Sequence, residues 1–249
     1  MATETPIREA AKTSQQCWSC GALRSTHFCG TCEKLQPATP TDYFSFFALP
    51  RKLNIDAAAL EREFYALSRK LHPDLYARAS ANEQTWSLEK TSQLNDAYRT
   101  LRDPIARTQY LLQLEGVQLE EQSKAATDRA RQTGEEKKQV VPPELLEEVF
   151  DLNMQLQELR ISKQMGERDE DVVRSLEQVR DNFQQRLDSL GHELKQYWNE
   201  WDALIDAHGG ELPPERERVP VRQKMIDLLN RRSYIRNLVR DVNEALESK

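Results

Sequence analysis

With 249 residues the chain can hold two or three small modules. Its 38% hydrophobic and 31% charged residues, with only 8 Gly, suit long amphipathic helices and not a sheet needing many tight turns. A formal net charge of -6 argues against phosphate-backbone binding as the main business, and no stretch approaches the roughly 18 consecutive apolar residues that cross a bilayer. We therefore expect an all-α protein with no nucleic-acid and no membrane partner. Met1 to Gln16 mix Glu4 and Glu9 with Arg8 and Lys12, unlike a secretory or organelle import peptide. The expected setting is cytoplasmic, in a bacterium, with a mitochondrial matrix as the alternative.

All 4 Cys fall in the first segment, as Cys17-Trp-Ser-Cys20-Gly and Cys29-Gly-Thr-Cys32. Paired C-x2-C knuckles are metal-ligand spacing: each aims two thiolates at one point, and four complete a closed tetrahedral site, which predicts one structural zinc over residues 1–36. The short spacer favours a compact rubredoxin-like clip over a nucleic-acid-reading finger. His27 is an alternative ligand for one Cys. The rival reading is a pair of redox dithiols, which would make the segment a thiol-disulfide enzyme with a low-pKa thiol.

Residues 37–41, with Pro37 and Pro40, read as an extended linker. From Asp42 the run Tyr43-Phe44-Ser-Phe46-Phe47-Ala-Leu49-Pro50 predicts a short buried helix stopped by proline. Asp56 offers an N-cap, and Leu60, Phe64, Leu67 and Leu71 recur on one face of the next helix. Its other side carries Arg62, Arg69 and Lys70. Pro73 ends that helix and sets His72-Pro73-Asp74 in an exposed loop. Ser80 and Glu83 form a capping box for a third helix, with Trp86, Leu94, Ala97, Tyr98 and Leu101 as its apolar positions, running to Asp103-Pro104.

A short aromatic helix, a basic helix, His-Pro-Asp and then Leu94-Asn95-Asp-Ala97-Tyr98-Arg-Thr-Leu101-Arg-Asp103-Pro104 resemble a J domain, here spanning 42–115. Leu75 stands where many J domains carry Lys. The resemblance implies that His72, Pro73 and Asp74, with Arg62, Arg69 and Lys70, engage an Hsp70 partner and activate its ATPase, the chain itself being no enzyme. The continuation Arg107-Thr-Gln-Tyr110-Leu111-Leu112-Gln-Leu114-Glu-Gly116, the opening Asp42-Tyr43-Phe44 with Leu49-Pro50, and the Cys knuckles narrow the likeness. Together they are similar to the HscB or Hsc20 family of iron–sulfur co-chaperones, in its longer form with an extra zinc module.

Residues 116–140 are polar and read as a flexible connector. Pro142 and Pro143 pre-set a new helix on which Leu145, Val149, Leu152, Leu156 and Leu159 form a core stripe. A second stripe, Leu146, Phe150 and Met154, flanked by Glu147 and Asp151, is a candidate exposed patch for a partner. Two further helices follow. Val172, Leu176, Val179, Phe183, Leu187, Leu190, Leu194, Trp198 and Trp201 mark the first, His208 to Pro214 the break, and Val221, Met225, Leu228, Ile235, Val239, Val242 and Leu246 the second. Residues 141–249 are expected to be a three-helix bundle. The family resemblance implies that Leu146, Glu147, Phe150, Asp151, Met154 and Tyr234 hold an iron–sulfur cluster scaffold protein. Tyr234 lies off the last helix's stripe, so the sequence suggests that it is exposed. A rival within chaperones is a general J protein for unfolded polypeptides. His192 and His208 are isolated, and no catalytic constellation or phosphate loop is evident.

Overall fold

A computed structural model describes residues 16–23, 27–117, 142–166 and 169–247. Its regular structure is helical: α1 (Tyr43–Phe46), α2 (Ala57–Leu71), α3 (Ala81–Arg102), α4 (Pro104–Leu114), α5 (Leu146–Gln164), α6 (Glu170–Ala207) and α7 (Glu215–Glu247). Among the described residues β pairing is limited to the isolated bridges Gln16–Leu23 and Phe28–Leu35. The chain divides into two compact units, Met1–Tyr110 and Leu111–Lys249. Residues 1–15 and most of the connector read over 116–140 lie outside the described residues.

In the first unit the antiparallel pair α2 and α3 is the frame, because each helix has one apolar face and a defined start. The Asp56 carboxylate accepts from the amides of Ala58 and Ala59, and Ser80 and Glu83 satisfy each other's backbone N–H in the expected capping box. Leu60, Leu67, Leu71, Leu94, Ala97 and Leu101 are buried, and Phe64 stacks on Tyr98 with ring centroids 4.1 Å apart. Phe44 and Phe46 of α1 close the core. α1 is shorter than the aromatic run suggests: the chain leaves it at Ala48, which adopts φ +53°, before Pro50 is reached. Tyr110, on α4, stacks on Tyr43, and its hydroxyl accepts from the Tyr43 amide at 3.0 Å.

The second unit is a bundle of α5, α6 and α7. Leu145, Leu152, Leu156 and Leu159 are buried against Leu176, Phe183, Leu190, Leu194, Trp198, Trp201 and Ile205 of α6 and Met225, Leu228, Ile235 and Val242 of α7. The two prolines give Pro143–Leu145 a 3-10 turn that feeds α5. Glu115 has a buried side chain in contact with the guanidinium groups of Arg218 and Arg222, so its charge is balanced where burial would otherwise be costly.

Candidate functional site: an exposed loop, a cysteine cage and an apolar helix face

The loop between α2 and α3 is held at both ends. The last carbonyl of α2, on Leu71, accepts from the hydroxyls of Ser87 at 2.7 Å and Thr91 at 3.0 Å on α3. The Tyr76 hydroxyl donates to the Lys70 carbonyl at 3.0 Å. Between these ties Pro73 opens a 3-10 turn over Pro73–Tyr76, and the Asp74 amide donates to His72 Nδ1 at 3.3 Å. With Nδ1 accepting, a neutral imidazole carries its proton on Nε2 as a free donor. The Asp74 side chain is 91% exposed and stands 3.5 Å from His72 Nδ1. A rigid turn therefore presents a carboxylate and an imidazole to solvent.

Arg62, Arg69 and Lys70 are all exposed on α2. Spacing along the helix puts Arg62, Tyr65, Arg69 and His72 on one face, at i, i+3, i+7 and i+10. Tyr65, also exposed, sits between the two arginines, and Arg69 Nε donates to its carbonyl at 3.2 Å. No motif marks Tyr65 in the sequence; its signal is the i, i+3, i+7 spacing with Arg62 and Arg69. An exposed aromatic among cations gives this face an apolar centre with a basic rim.

The four cysteines form one cage. Their Sγ atoms lie within 4.8 Å of one another, with Cys17–Cys32 and Cys20–Cys29 each 3.6 Å apart. Four thiolates about 2.3 Å from a tetrahedral metal would stand about 3.8 Å from each other, so the donor set fits a metal ion. The two knuckles repeat the same turn twelve residues apart. The Ser19 and Thr31 amides donate to the sulfurs of Cys17 and Cys29 at 3.4 Å, and the Gly21 and Glu33 amides donate to the carbonyls of the same two residues at 2.9 Å. The left-handed position falls on Gly21 at φ +72° in one and on Glu33 at φ +58° in the other. Burial raises the Cys17 thiol, but the Cys20 and Ser19 amides and the Gln36 side chain outweigh it and bring it down to about 6. Cys29 is lowered by the Cys32 and Thr31 amides, whereas Cys20, despite the Ala22 amide, is pushed up to about 12 by the neighbouring Cys32, Cys29 and Cys17 thiols and by burial. Donated N–H groups are the environment that favours bound thiolates.

His27 is not a member of the cage, contrary to the alternative ligand set. Its ring is buried on Phe46, centroids 4.4 Å apart, and Nε2 bonds the Phe46 carbonyl at 2.9 Å. Burial holds the imidazole's pKa below its ordinary value. Two more contacts fasten the cage to α3: Trp18 packs edge-on against Trp86 at 5.6 Å while its Nε1 donates to the Leu35 carbonyl, and Lys34 pairs with Glu83 at 3.6 Å. Glu83 is the capping-box residue of the helix that follows the His-Pro-Asp loop. The Ser80 hydroxyl, against the opposing effect of burial, and then the Ser80 amide and Lys34 hold its carboxyl below the usual range.

In the bundle, Leu146, Phe150 and Met154 are 54%, 64% and 52% exposed, and Glu147 and Asp151 beside them are exposed too. Tyr234 differs from expectation. It is buried, only 5% exposed, and burial raises its hydroxyl pKa. The reason is that α7 packs against both α5 and α6, so Leu229, Tyr234 and Leu238 join the apolar stripe in a face wider than one helix partner would require.

The chain is 30% identical over 180 residues to the iron–sulfur cluster co-chaperone protein HscB of Homo sapiens, a match covering 70% of this chain and 71% of the relative. It is 38% identical over 112 residues to the protein of the same name in Mus musculus, covering 43% of this chain and 48% of that relative, so this match spans about half of the mouse protein. The crystal structure of human co-chaperone protein HscB aligns over 92% of this chain and 96% of that chain with a TM-score of 0.54 at 22% identity, which shows a shared fold. No protein-family model matches the chain.

Proposed function

The chain belongs to the HscB family of iron–sulfur cluster co-chaperones, and from that premise we propose that it stimulates the ATPase of an Hsp70 partner and delivers to it a scaffold protein for cluster assembly. The observation that carries this reading is the His72-Pro73-Asp74 turn, exposed at the tip of the hairpin and pinned through Leu71 and Lys70. Asp74 offers an acceptor for an arginine fork on the partner, and Pro73 limits the entropy lost on docking. Arg62, Arg69 and Lys70 steer an acidic surface toward the loop and quicken encounter. Hydrolysis itself is the partner's chemistry.

The cargo is held on α5 by Leu146, Phe150 and Met154, with Glu147 and Asp151 as polar contacts. Tyr234 serves by backing the bundle, since its ring is buried. The Cys17, Cys20, Cys29 and Cys32 cage holds zinc as a closed structural site: four sulfurs leave no open position for substrate, and the ion's role is to fold a segment with little core of its own. Closed ligation is favoured over a thiol-disulfide enzyme by the close sulfur pairs, which join the two knuckles and not the two cysteines within one C-x2-C. The matching setting is a bacterial cytoplasm or a mitochondrial matrix.

The test is a reconstituted Hsp70 ATPase assay with this chain, with an apo iron–sulfur cluster scaffold protein, and with both. The proposal expects stimulation by the chain and a more than additive rate with both. Stimulation by the chain with no response to the scaffold, together with binding to denatured model polypeptides, would support a general J protein instead.

A further inference from the structure

The exposed apolar residues of α5 do not end at Met154. Ile161 is 46% and Met165, just past the helix end, 73% exposed, and with Met154 and Glu158 they line a cleft of about 530 Å³ at the end of α5. At about 100° per residue, Leu146, Phe150, Met154, Ile161 and Met165 fall within a strip about 100° wide and about 28 Å long, which the exposed Gln157 and Gln164 share. Glu147, Asp151 and Glu158 fall along one edge of that strip by the same rule. None of these three carboxylates has a basic partner among the described residues. Three polar side chains of α5 find partners on the other bundle helices: Glu148 pairs with Arg186 at 2.9 Å, Gln155 accepts from Ser175 at 3.0 Å, and Lys163 donates to the Ala245 carbonyl at 2.8 Å. One side of the helix is thus spent on the bundle, and the other shows five apolar groups, interrupted by Gln157 and Gln164, with an acidic margin that has no basic partner among the described residues.

We propose that the docking face runs the full length of α5 and that Ile161 and Met165 form its second half, taking an apolar segment of the scaffold protein flanked on one side by Lys or Arg. The inference rests on the scaffold-binding reading above and extends it to residues and a charge pattern. An apolar strip alone would suit many occupants. The one-sided row of carboxylates selects a segment with basic residues on one side, and it adds a salt-dependent contribution to binding.

The experiment is calorimetric titration of the full chain with an apo iron–sulfur cluster scaffold protein, at low and high salt, comparing wild type, Leu146→Ser with Phe150→Ser, Ile161→Ser with Met165→Ser, and Glu158→Lys. Far-UV circular dichroism and Tm report folding, and the substituted side chains are exposed enough for both to stay at the wild-type values. The expected result is at least tenfold weaker binding for each double variant. Glu158→Lys is expected to bind about threefold to tenfold more weakly at low salt, with the difference shrinking at high salt. Wild-type affinity for Ile161→Ser with Met165→Ser, beside a loss for Leu146→Ser with Phe150→Ser, would overturn the extension and leave the scaffold reading standing. Wild-type affinity for both double variants would remove the scaffold reading as well. If sedimentation shows that the Ile161 and Met165 pair instead governs self-association, the face belongs to a second copy of this chain and the proposal fails.

Discussion

Glu33 is a residue at which the local backbone and the side chain disagree. It occupies the position that Gly21 fills in the other knuckle, at φ +58°, where an L side chain costs on the order of 1 kcal/mol. Glu33→Gly is therefore expected to raise the stability of the metal-loaded first unit by about 0.5–1 kcal/mol, measured by thermal unfolding; no gain would mean that Glu33 makes a compensating contact. The repeat that predicts this strain was legible as Cys-x2-Cys-x2-Leu, read twice at a spacing of twelve. Glu83 gives a pH test. Its folded-state pKa is depressed, by the Ser80 hydroxyl first and with Lys34 contributing, so the unfolded chain takes up the proton before the folded one does. The stabilisation is present above the ordinary Glu value and is lost as the pH falls through the lower folded value. Glu83→Gln should flatten the decline in Tm on acidification below about pH 4.5, and an identical decline in both proteins would show that other carboxylates carry it.

At the scale of elements, metal cage and hairpin are coupled by contacts that no pattern announces. Trp18 on Trp86, His27 on Phe46 and Lys34 with Glu83 join residues far apart in sequence. An aromatic edge contact is worth about 0.5–1.5 kcal/mol, and an ion pair with one solvent-exposed partner, such as Lys34 with the buried Glu83, about 0–1. Chelation of the metal, or Cys29→Ser, should thus cost the hairpin about 1–2 kcal/mol and alter tryptophan emission; a hairpin Tm and emission unchanged on chelation would deny the coupling. Helices themselves were easier to read. Asp56, Ser80 with Glu83, and Pro73 act within a few residues of themselves, so α2, α3 and the loop between them follow from the local sequence. Tyr234 was misread as exposed because a helical wheel shows one stripe, whereas a helix held between two neighbours buries a wider one. The exposure of Ile161 and Met165 was likewise hidden, since only the packed bundle shows which apolar side α5 leaves outside.

At the scale of the whole molecule, two exposed faces have distinct chemistry: a basic face with Tyr65 near the His-Pro-Asp turn, and an apolar face with an acidic margin on α5. Tyr65→Ala should weaken Hsp70 affinity several-fold, by about 1 kcal/mol, and leave most of the salt dependence, because Arg62, Arg69 and Lys70 remain; equal affinity by titration would show that the aromatic is idle. The scaffold-dependent part of the response should vanish with Leu146→Ser and Phe150→Ser. The central claim is that the chain acts through His72, Pro73 and Asp74 on an Hsp70 ATPase. The most direct measurement is the steady-state ATPase rate of the Hsp70 with wild type and with His72→Gln, whose side chain is exposed and whose loss leaves the core intact. Wild type is expected to stimulate the rate, and an equally folded His72→Gln to leave it at the Hsp70 baseline; equal stimulation by both would refute a role for the His-Pro-Asp turn.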